Sequence, residues 1–483
     1  MFRIFGPPGT GKTTKLLNLV DKHLEAGVEP TNIAFLAFTR KAAEEARERA
    51  AARFNLDPKQ DLFFFKTLHS LALAMTDIRT DQVMQPEHYR ELGKSIGVNL
   101  GAAADNRFSD IPETQKSSDP ILGLINLAIL RKVPLRTQYN ISQIDESWNV
   151  VKYVDEALTK YKKSYTLYDF TDMLRVFAET GQSCCPRFAV TFLDEAQDLS
   201  PLQWDIAHML DRQSERMYCA GDDDQAIYRW AGADVDQFIG LEGGSETLSQ
   251  SYRVPQLPWE IAQNVARRIH RRFPKTYKPR DERGMVRRIS MVNELDMSEG
   301  SWLILAQAAY LLQDVSSDLK AMGLLFNFRG HRSVSERMSE AINGWEQLRK
   351  DKEISGRAVK SIYSYMSSKD RIKRGFKRLG GLEEDEMFSF DVLVKDYGLL
   401  ATKDMIWHVA MDKMPETDRA YIIAMLRRGE KFNAPPRITV STIHGSKGGE
   451  ADNVILFTDL SPAADESMRL EPDDMHRTFY VAV

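Results

Sequence analysis

Residues 6–13 read Gly6-Pro7-Pro8-Gly9-Thr10-Gly11-Lys12-Thr13, which fits the G-x-x-x-x-G-K-[ST] spacing of a phosphate loop. Residues 1–5 ahead of it are mostly apolar and suit a short buried strand. Leu16, Leu17, Val20 and Leu24 behind it recur at helical spacing. Each part has a chemical reason. Glycines at 6, 9 and 11 allow backbone angles and close approaches that a Cβ would block. The loop's N–H groups and the helix N-terminus can then face an anion. Lys12 is placed to reach the β- and γ-phosphates, and Thr13 a magnesium ion. A glycine-rich turn without a ligand is the competing reading, but strand, loop and helix all occur in the order that phosphate binding needs. The stretch is read as a nucleoside-triphosphate site.

Two further clusters follow apolar runs. Asp194-Glu195-Ala-Gln-Asp198 comes directly after 188–193, FAVTFL. In a phosphate-loop fold a carboxylate at a strand's C-terminal end holds magnesium, and the next acid can take a proton from attacking water. Alone, such a cluster is as readily a solvated turn. After the apolar run 217–221 comes Asp222-Asp-Asp-Gln225-Ala-Ile-Tyr228-Arg-Trp230. The Gln225 amide is suited to sensing a γ-phosphate, and Tyr228 and Trp230 offer flat faces on which bases can stack. By composition alone both rings are more readily core residues.

The elements that must carry these residues alternate in kind. A strand is expected over 33–38, with Thr39 capping a helix that begins at Arg40. A third strand is expected over 61–65, closed by Lys66-Thr-Leu-His-Ser70, and an amphipathic helix over 165–174. Strands alternating with helices predict a parallel sheet covered on both faces. Residues 76–163 are polar and mostly helical in pattern, as an insertion would be. Strands expected within 289–305, 437–440 and 454–457 supply a second parallel sheet, and the final residues, 477–483, read as a strand. The intervening 332–430 is helical and charged, with Trp345, Tyr363, Tyr365 and Trp407 as anchors.

A chain of 483 residues exceeds one core, so roughly two to four domains are expected. The net charge of −4 leaves any nucleic-acid surface local. Two basic stretches are candidates: Arg267 to Arg288 (with Lys275 and Tyr277 among them) and Lys369 to Arg378. The former is favoured, although charge runs are usually solvated faces. Cys184, Cys185 and Cys219 have no zinc-site spacing. Without an apolar run near 18 residues no membrane span is expected, and few cysteines fit a reducing cytosol, bacterial or of a phage-infected cell.

Eight motifs in order resemble the superfamily 1A DNA helicases, the family of UvrD, Rep and PcrA. They are Gly6 to Thr13, Phe38-Thr39-Arg40-Lys-Ala-Ala43, Thr67-Leu-His69-Ser70 and Asp194 to Asp198. The order continues through Gly221 to Trp230, Leu248-Ser-Gln-Ser-Tyr252-Arg253, Ser441-Thr442-Ile-His444-Gly-Ser-Lys-Gly448 and Arg477-Thr-Phe-Tyr-Val-Ala-Val483. The resemblance implies an α/β protein with two RecA-like motor domains and mainly helical insertions. The first motor domain would be 1–75 with 164–255, its insertion 76–163. The second would be 256–331 with 431–483, and a reduced insertion 332–430. It further implies ATP and Mg2+ as cofactors, single-stranded DNA and single-strand/duplex junctions as partners, and 3′→5′ movement. Carried over residue by residue, Lys12, Thr13 and Asp194 hold phosphate and metal, Glu195 is the base and Gln225 the sensor. Arg253 reaches the γ-phosphate from the second motor domain. Tyr252 stacks on adenine, Glu450 beside Gly448 contacts the sugar, and Gly6 to Thr14 cradle the nucleotide. For DNA the matching positions are Phe38, Thr39, Arg40, Thr67, His69, Tyr228, Trp230, Thr442 and His444.

Four departures from the family pattern stand out. The glutamine motif upstream of the phosphate loop is absent, and Thr14 and Ala231 occupy positions where relatives often carry arginine. The sequence also stops at Val483, before the Thr-Arg pair of the last motif. That final arginine is worth about 10³–10⁵ in rate. The expectation is therefore an ATP-dependent helicase or translocase whose chain ends within its last motif. The alternatives are an ATP-gated DNA-binding protein without efficient hydrolysis, and a motor that strips proteins from DNA.

Overall fold

The computed structural model describes residues 1–100, 119–142, 144–379, 382–431 and 434–483. Residues 101–118 and 143 of the first expected insertion, and 380–381 of the second, lie outside them. By contact density the chain forms two compact units, Met1–Arg287 with Leu460–Val483, and Arg288–Asp459.

The first unit is built on a six-stranded, wholly parallel sheet. Its strands are β1 (Phe2–Phe5), β2 (Ile33–Ala37), β3 (Phe65–Thr67), β4 (Phe188–Leu193), β5 (Ser214–Gly221) and β6 (Ser245–Thr247), ordered β3-β2-β4-β5-β1-β6. Apolar side chains leave both faces, as a parallel sheet under helices requires. On one face Ile4, Phe35, Phe65 and Phe192 pack with Leu16, Leu17 and Val20 of helix Lys12–Glu25. On the other, Phe5, Leu36 and Leu193 share a core with Phe177, Trp204 and Leu210. A separate apolar cluster joins helices Pro120–Leu130 and Trp148–Tyr165 through Ile121, Ile125, Val151 and Leu158, so this helical insertion has its own core.

The second unit carries a five-stranded sheet of β7 (Trp302–Ala306), β8 (Phe326–Phe328), β9 (His331–Arg332), β12 (Ile438–Thr442) and β13 (Asn453–Leu456). Its order is β13-β7-β12-β8-β9, parallel except for the β8–β9 pair. A small antiparallel pair, β10 (Ile354–Ser355) and β11 (Met387–Phe388), lies among helices that bury Trp345, Tyr363 and Trp407. Among the described residues no helix is long and apolar enough to cross a membrane.

Several local expectations are corrected. Residues 61–64 form turns, and the strand is the shorter β3, because Asp57 and Asp61 bond the local backbone instead of a ladder. The helix expected over 165–174 begins only at Phe170, where Asp169 caps it. Within 289–305 the strand begins only at Trp302, and it runs on to Ala306. Most significantly, 477–483 is not a strand: helix Pro472–Ala482 runs through it, with proline in its first turn beside Asp473 and Asp474.

Candidate nucleotide site and strand interface

The carboxyl ends of the six parallel strands carry most of the expected site residues. The phosphate loop follows β1, Asp194 and Glu195 follow β4, Gln225 follows β5 and Tyr252-Arg253 lie beyond β6. Phe38, Thr39 and Arg40 follow β2, while Thr67 ends β3 and His69 comes just after it. In open parallel sheets this edge is where ligands bind.

Gly11 takes a φ of 77° as the N-cap of helix Lys12–Glu25 and Gly9 a φ of 69°, so the loop turns where a side chain would strain it. Lys12 Nζ donates to the Gly6 carbonyl at 3.0 Å and lies 3.6 Å from Glu195. Burial works against its charge, but Glu195, Asp222 and Asp194 outweigh that and hold the amine protonated more firmly than in water. Thr13 Oγ1 donates to Asp194 Oδ2 at 3.0 Å. Burial, then the Glu195 charge, push the Asp194 carboxyl up to about 6, against Lys12 and the Thr13 bond. A carboxylate that is costly to keep charged, joined to a hydroxyl beside a phosphate loop, fits a divalent cation. Among the described residues no cluster of three or more His, Cys, Asp or Glu is placed for a metal. A cation at Thr13 and Asp194 would thus take its other ligands from phosphate and water, as magnesium does.

Glu195 sits at φ 54°, a left-handed conformation unusual for a side-chain-bearing residue. Gln197 Nε2 donates to the Glu195 carboxylate, while Gln197 Oε1 accepts from Asp222 N at 3.0 Å. Gln197 therefore links the ends of β4 and β5, a role that its place within Asp194-Glu-Ala-Gln-Asp198 did not disclose. Gln225 Nε2 in turn donates to Asp222 Oδ2 at 2.6 Å.

The resemblance implies an arginine arriving from the second motor domain. Here Arg253 stands in the same compact unit as Lys12. Its segment is fastened to the loop: Tyr252 N donates to Gly9 O at 2.9 Å and Ser251 Oγ to Pro8 O at 2.7 Å. The Tyr252 side chain is 74% exposed. Thr14 is exposed on the first helical turn. Gly448 and Glu450, both exposed, and Thr442 and His444, both half-buried, belong to the second unit.

On the β2–β3 side, Thr39 and Thr67 cap helices Arg40–Phe54 and Leu68–Met75 by accepting from Ala42 N and Ser70 N, each at 3.2 Å. His69 Nε2 is buried without a hydrogen-bond partner, and burial with the Arg40 charge lowers its pKa to about 4. The expected aromatic faces divide. Phe38 and Tyr228 stack on each other, centroids 5.8 Å apart, and both are buried; Trp230 is 52% exposed. Of these three rings Trp230 is the most exposed, and it meets Tyr228 edge-on with centroids 6.5 Å apart.

The favoured basic stretch divides into buried and exposed cations. Lys275 is buried against Asp222, Asp223 and Asp224, Arg272 pairs with Asp224, and Arg271 with Asp236. Tyr277 OH lies 3.2 Å from Tyr480 OH. The nearby Arg477 guanidinium, 1% exposed, donates to Asp223 O at 3.0 Å and Arg271 O at 2.6 Å, so helix Pro472–Ala482 belongs to the same knot. Lys275, Arg272 and Arg477 thus satisfy internal carboxylates and carbonyls, whereas Arg267, Arg268, Lys278, Arg283, Arg287 and Arg288 are exposed.

A phosphate loop at the end of a parallel strand, with a carboxylate on the second strand over, defines the α/β class of phosphate-loop nucleotide-binding proteins. Residues 2–243 match the model of the UvrD/REP helicase N-terminal domain, and the chain belongs to that family. It is 25% identical over 383 residues to the ATP-dependent DNA helicase PcrA of Leuconostoc citreum, covering 75% of this chain and 50% of that protein. It is 26% identical to PcrA of Bacillus subtilis (strain 168), covering 57% and 39%. Against the ATP-dependent DNA helicase Rep of Buchnera aphidicola subsp. Acyrthosiphon pisum (strain APS) it is 26% identical, covering 50% and 38%. The chain thus spans about half or less of the length of these curated relatives.

Proposed function

We propose that the chain is the motor portion of an ATP-dependent DNA helicase or translocase, driven by Mg2+-ATP and moving 3′→5′ along one strand. The observation that carries this reading is the division of labour along one sheet edge. Nucleotide candidates follow β4, β5, β1 and β6; strand-contact candidates follow β3 and β2 and continue from β5 to Trp230.

In this reading the loop N–H groups and Lys12 hold the β- and γ-phosphates, and Thr13 and Asp194 hold the cation. Bound magnesium neutralises charge on the phosphates. Glu195, kept at its angle by Gln197, orients a water and accepts its proton. Gln225 and Arg253 line the γ-phosphate side, and Tyr252 offers its exposed ring to adenine. Trp230 stacks on a base without reading it, which suits a motor indifferent to sequence. Thr442 and His444 are the strand-contact candidates, and Gly448 and Glu450 the nucleotide candidates, carried by the second unit.

The test is ATP turnover by this chain with and without single-stranded DNA, beside Lys12→Ala. DNA-stimulated turnover that falls at least about 100-fold in Lys12→Ala supports a motor. Binding of ATP and DNA without turnover would replace the motor with an ATP-gated binding protein. Displacement of streptavidin from a 3′ or a 5′ end then reads the direction.

A further inference from the structure

The strand β5 ends in Gly221-Asp-Asp-Asp-Gln225, and its three aspartates are 0% exposed. One amine faces all of them. Lys275 Nζ is 2.9 Å from Asp222 Oδ1, 2.9 Å from Asp224 Oδ2, and paired with Asp223. Arg272 Nε donates to Asp224 Oδ1 at 2.8 Å. Buried ion pairs add little stability over apolar packing of the same volume, so stability alone does not account for the cluster. Orientation does. Asp222 divides its two oxygens: Oδ1 takes Lys275 and, at 3.3 Å, the Asp224 N–H, while Oδ2 takes the Gln225 amide at 2.6 Å. The amide is set by the carboxylate, and the carboxylate by the lysine together with the Asp224 N–H, of which only the lysine carries charge.

We propose that Lys275 is a positioning residue of the nucleotide site: acting through Asp222, it holds Gln225 in the orientation that distinguishes a nucleoside triphosphate from a diphosphate. This rests on the reading of Gln225 given above. The rival account is that Lys275 only stitches 270–277 to the end of β5. That role would affect stability but not the discrimination that Gln225 provides.

The experiment measures equilibrium binding of a non-hydrolysable ATP analogue and of ADP to the whole chain, so it needs no turnover. Gln225→Ala is expected to lower the preference for the triphosphate about tenfold, the scale of one hydrogen bond to a charged group. Lys275→Met is expected to lower it by a similar factor, and the double variant no further, because both act on one contact. Multiplying effects in the double variant overturn the proposal, as does a Lys275→Met chain that melts earlier yet keeps its preference. Should Lys275→Met fail to fold, Asp222→Asn decides. It keeps the shape and leaves Lys275 paired with Asp223 and Asp224. With its oxygen drawn to Lys275 it turns an NH2 toward Gln225, and the glutamine amide must flip. An unchanged preference in Asp222→Asn overturns the inference alone. A wild-type chain that binds neither nucleotide overturns the nucleotide-site reading, and this inference with it.

Discussion

Tyr252 donates its backbone N–H to the carbonyl of Gly9 at 2.9 Å, so the outer wall of the phosphate loop is a second segment of the same unit. Gly9 has no space for a side chain there. A Cβ would lie 2.3 Å from Arg253 Cβ, and φ is already +69°. Gly9→Ala should cost roughly 1–2 kcal/mol from backbone strain alone, and more from displacing 251–253. Thermal unfolding and nucleotide titration check this. An unchanged midpoint and affinity would mean that 251–253 moves aside freely.

Asp194 offers a test in which stability and function part company. Its carboxyl is raised to about 6 from an ordinary 3.8, so the folded chain holds a proton there that the unfolded chain has released. Stability is therefore lost as pH rises through that window, and the cost persists above it. Asp194→Asn should raise the unfolding free energy at pH 8 by about 1–2 kcal/mol, with little gain near pH 4. The same variant should lose magnesium-dependent turnover. A midpoint that falls at pH 8 would contradict the burial argument.

The two rings after β5 should behave differently. Trp230→Ala should weaken single-stranded DNA binding by about 1–3 kcal/mol and leave the unfolding midpoint nearly unchanged. Tyr228→Ala removes a buried ring stacked on Phe38, so it should destabilise the fold by about 3–5 kcal/mol. Fluorescence anisotropy with a labelled oligonucleotide, beside thermal melts, separates the two. Equal loss of affinity in both variants at a temperature where both are folded would undo the distinction.

His69 predicts a pH dependence of opposite sign to that of Asp194. Its folded pKa of about 4 lies below the ordinary 6.5, so between these values the unfolded chain takes up a proton that the folded chain refuses. Stability falls as pH is lowered through that window, and His69→Asn should flatten the fall by up to ~1.4 kcal/mol per pH unit. Chemical denaturation at several pH values from 4 to 7 measures the slope. Identical slopes in both chains would show that His69 protonates without cost.

The placement of the phosphate loop, Asp194-Glu195 and Gln225 just after strands is legible in the sequence because each follows a short apolar run. The buried Lys275 is not, because its three partners lie about fifty residues upstream and the string around it shows only a run of cations. The end of the chain misleads for another reason. Thr478-Phe-Tyr-Val481 has the β-branched and aromatic content of a strand, yet Tyr480 packs on Ala262 and Ala266 from a helix. Pro472 with Asp473 and Asp474 behind it was the available signal, since proline and acids favour a first helical turn. Rings are the remaining ambiguity. Sequence names Phe38, Tyr228 and Trp230 alike, and only packing separates the stacked buried pair from the open indole.

That open indole has a practical consequence. The chain has seven tryptophans, and Trp230 is the most exposed of them. Its emission should be the red-shifted part of the protein's intrinsic fluorescence, the part an added quencher reaches first. If a base stacks on it as proposed, that component would darken, giving the unlabelled chain an optical gauge of strand engagement.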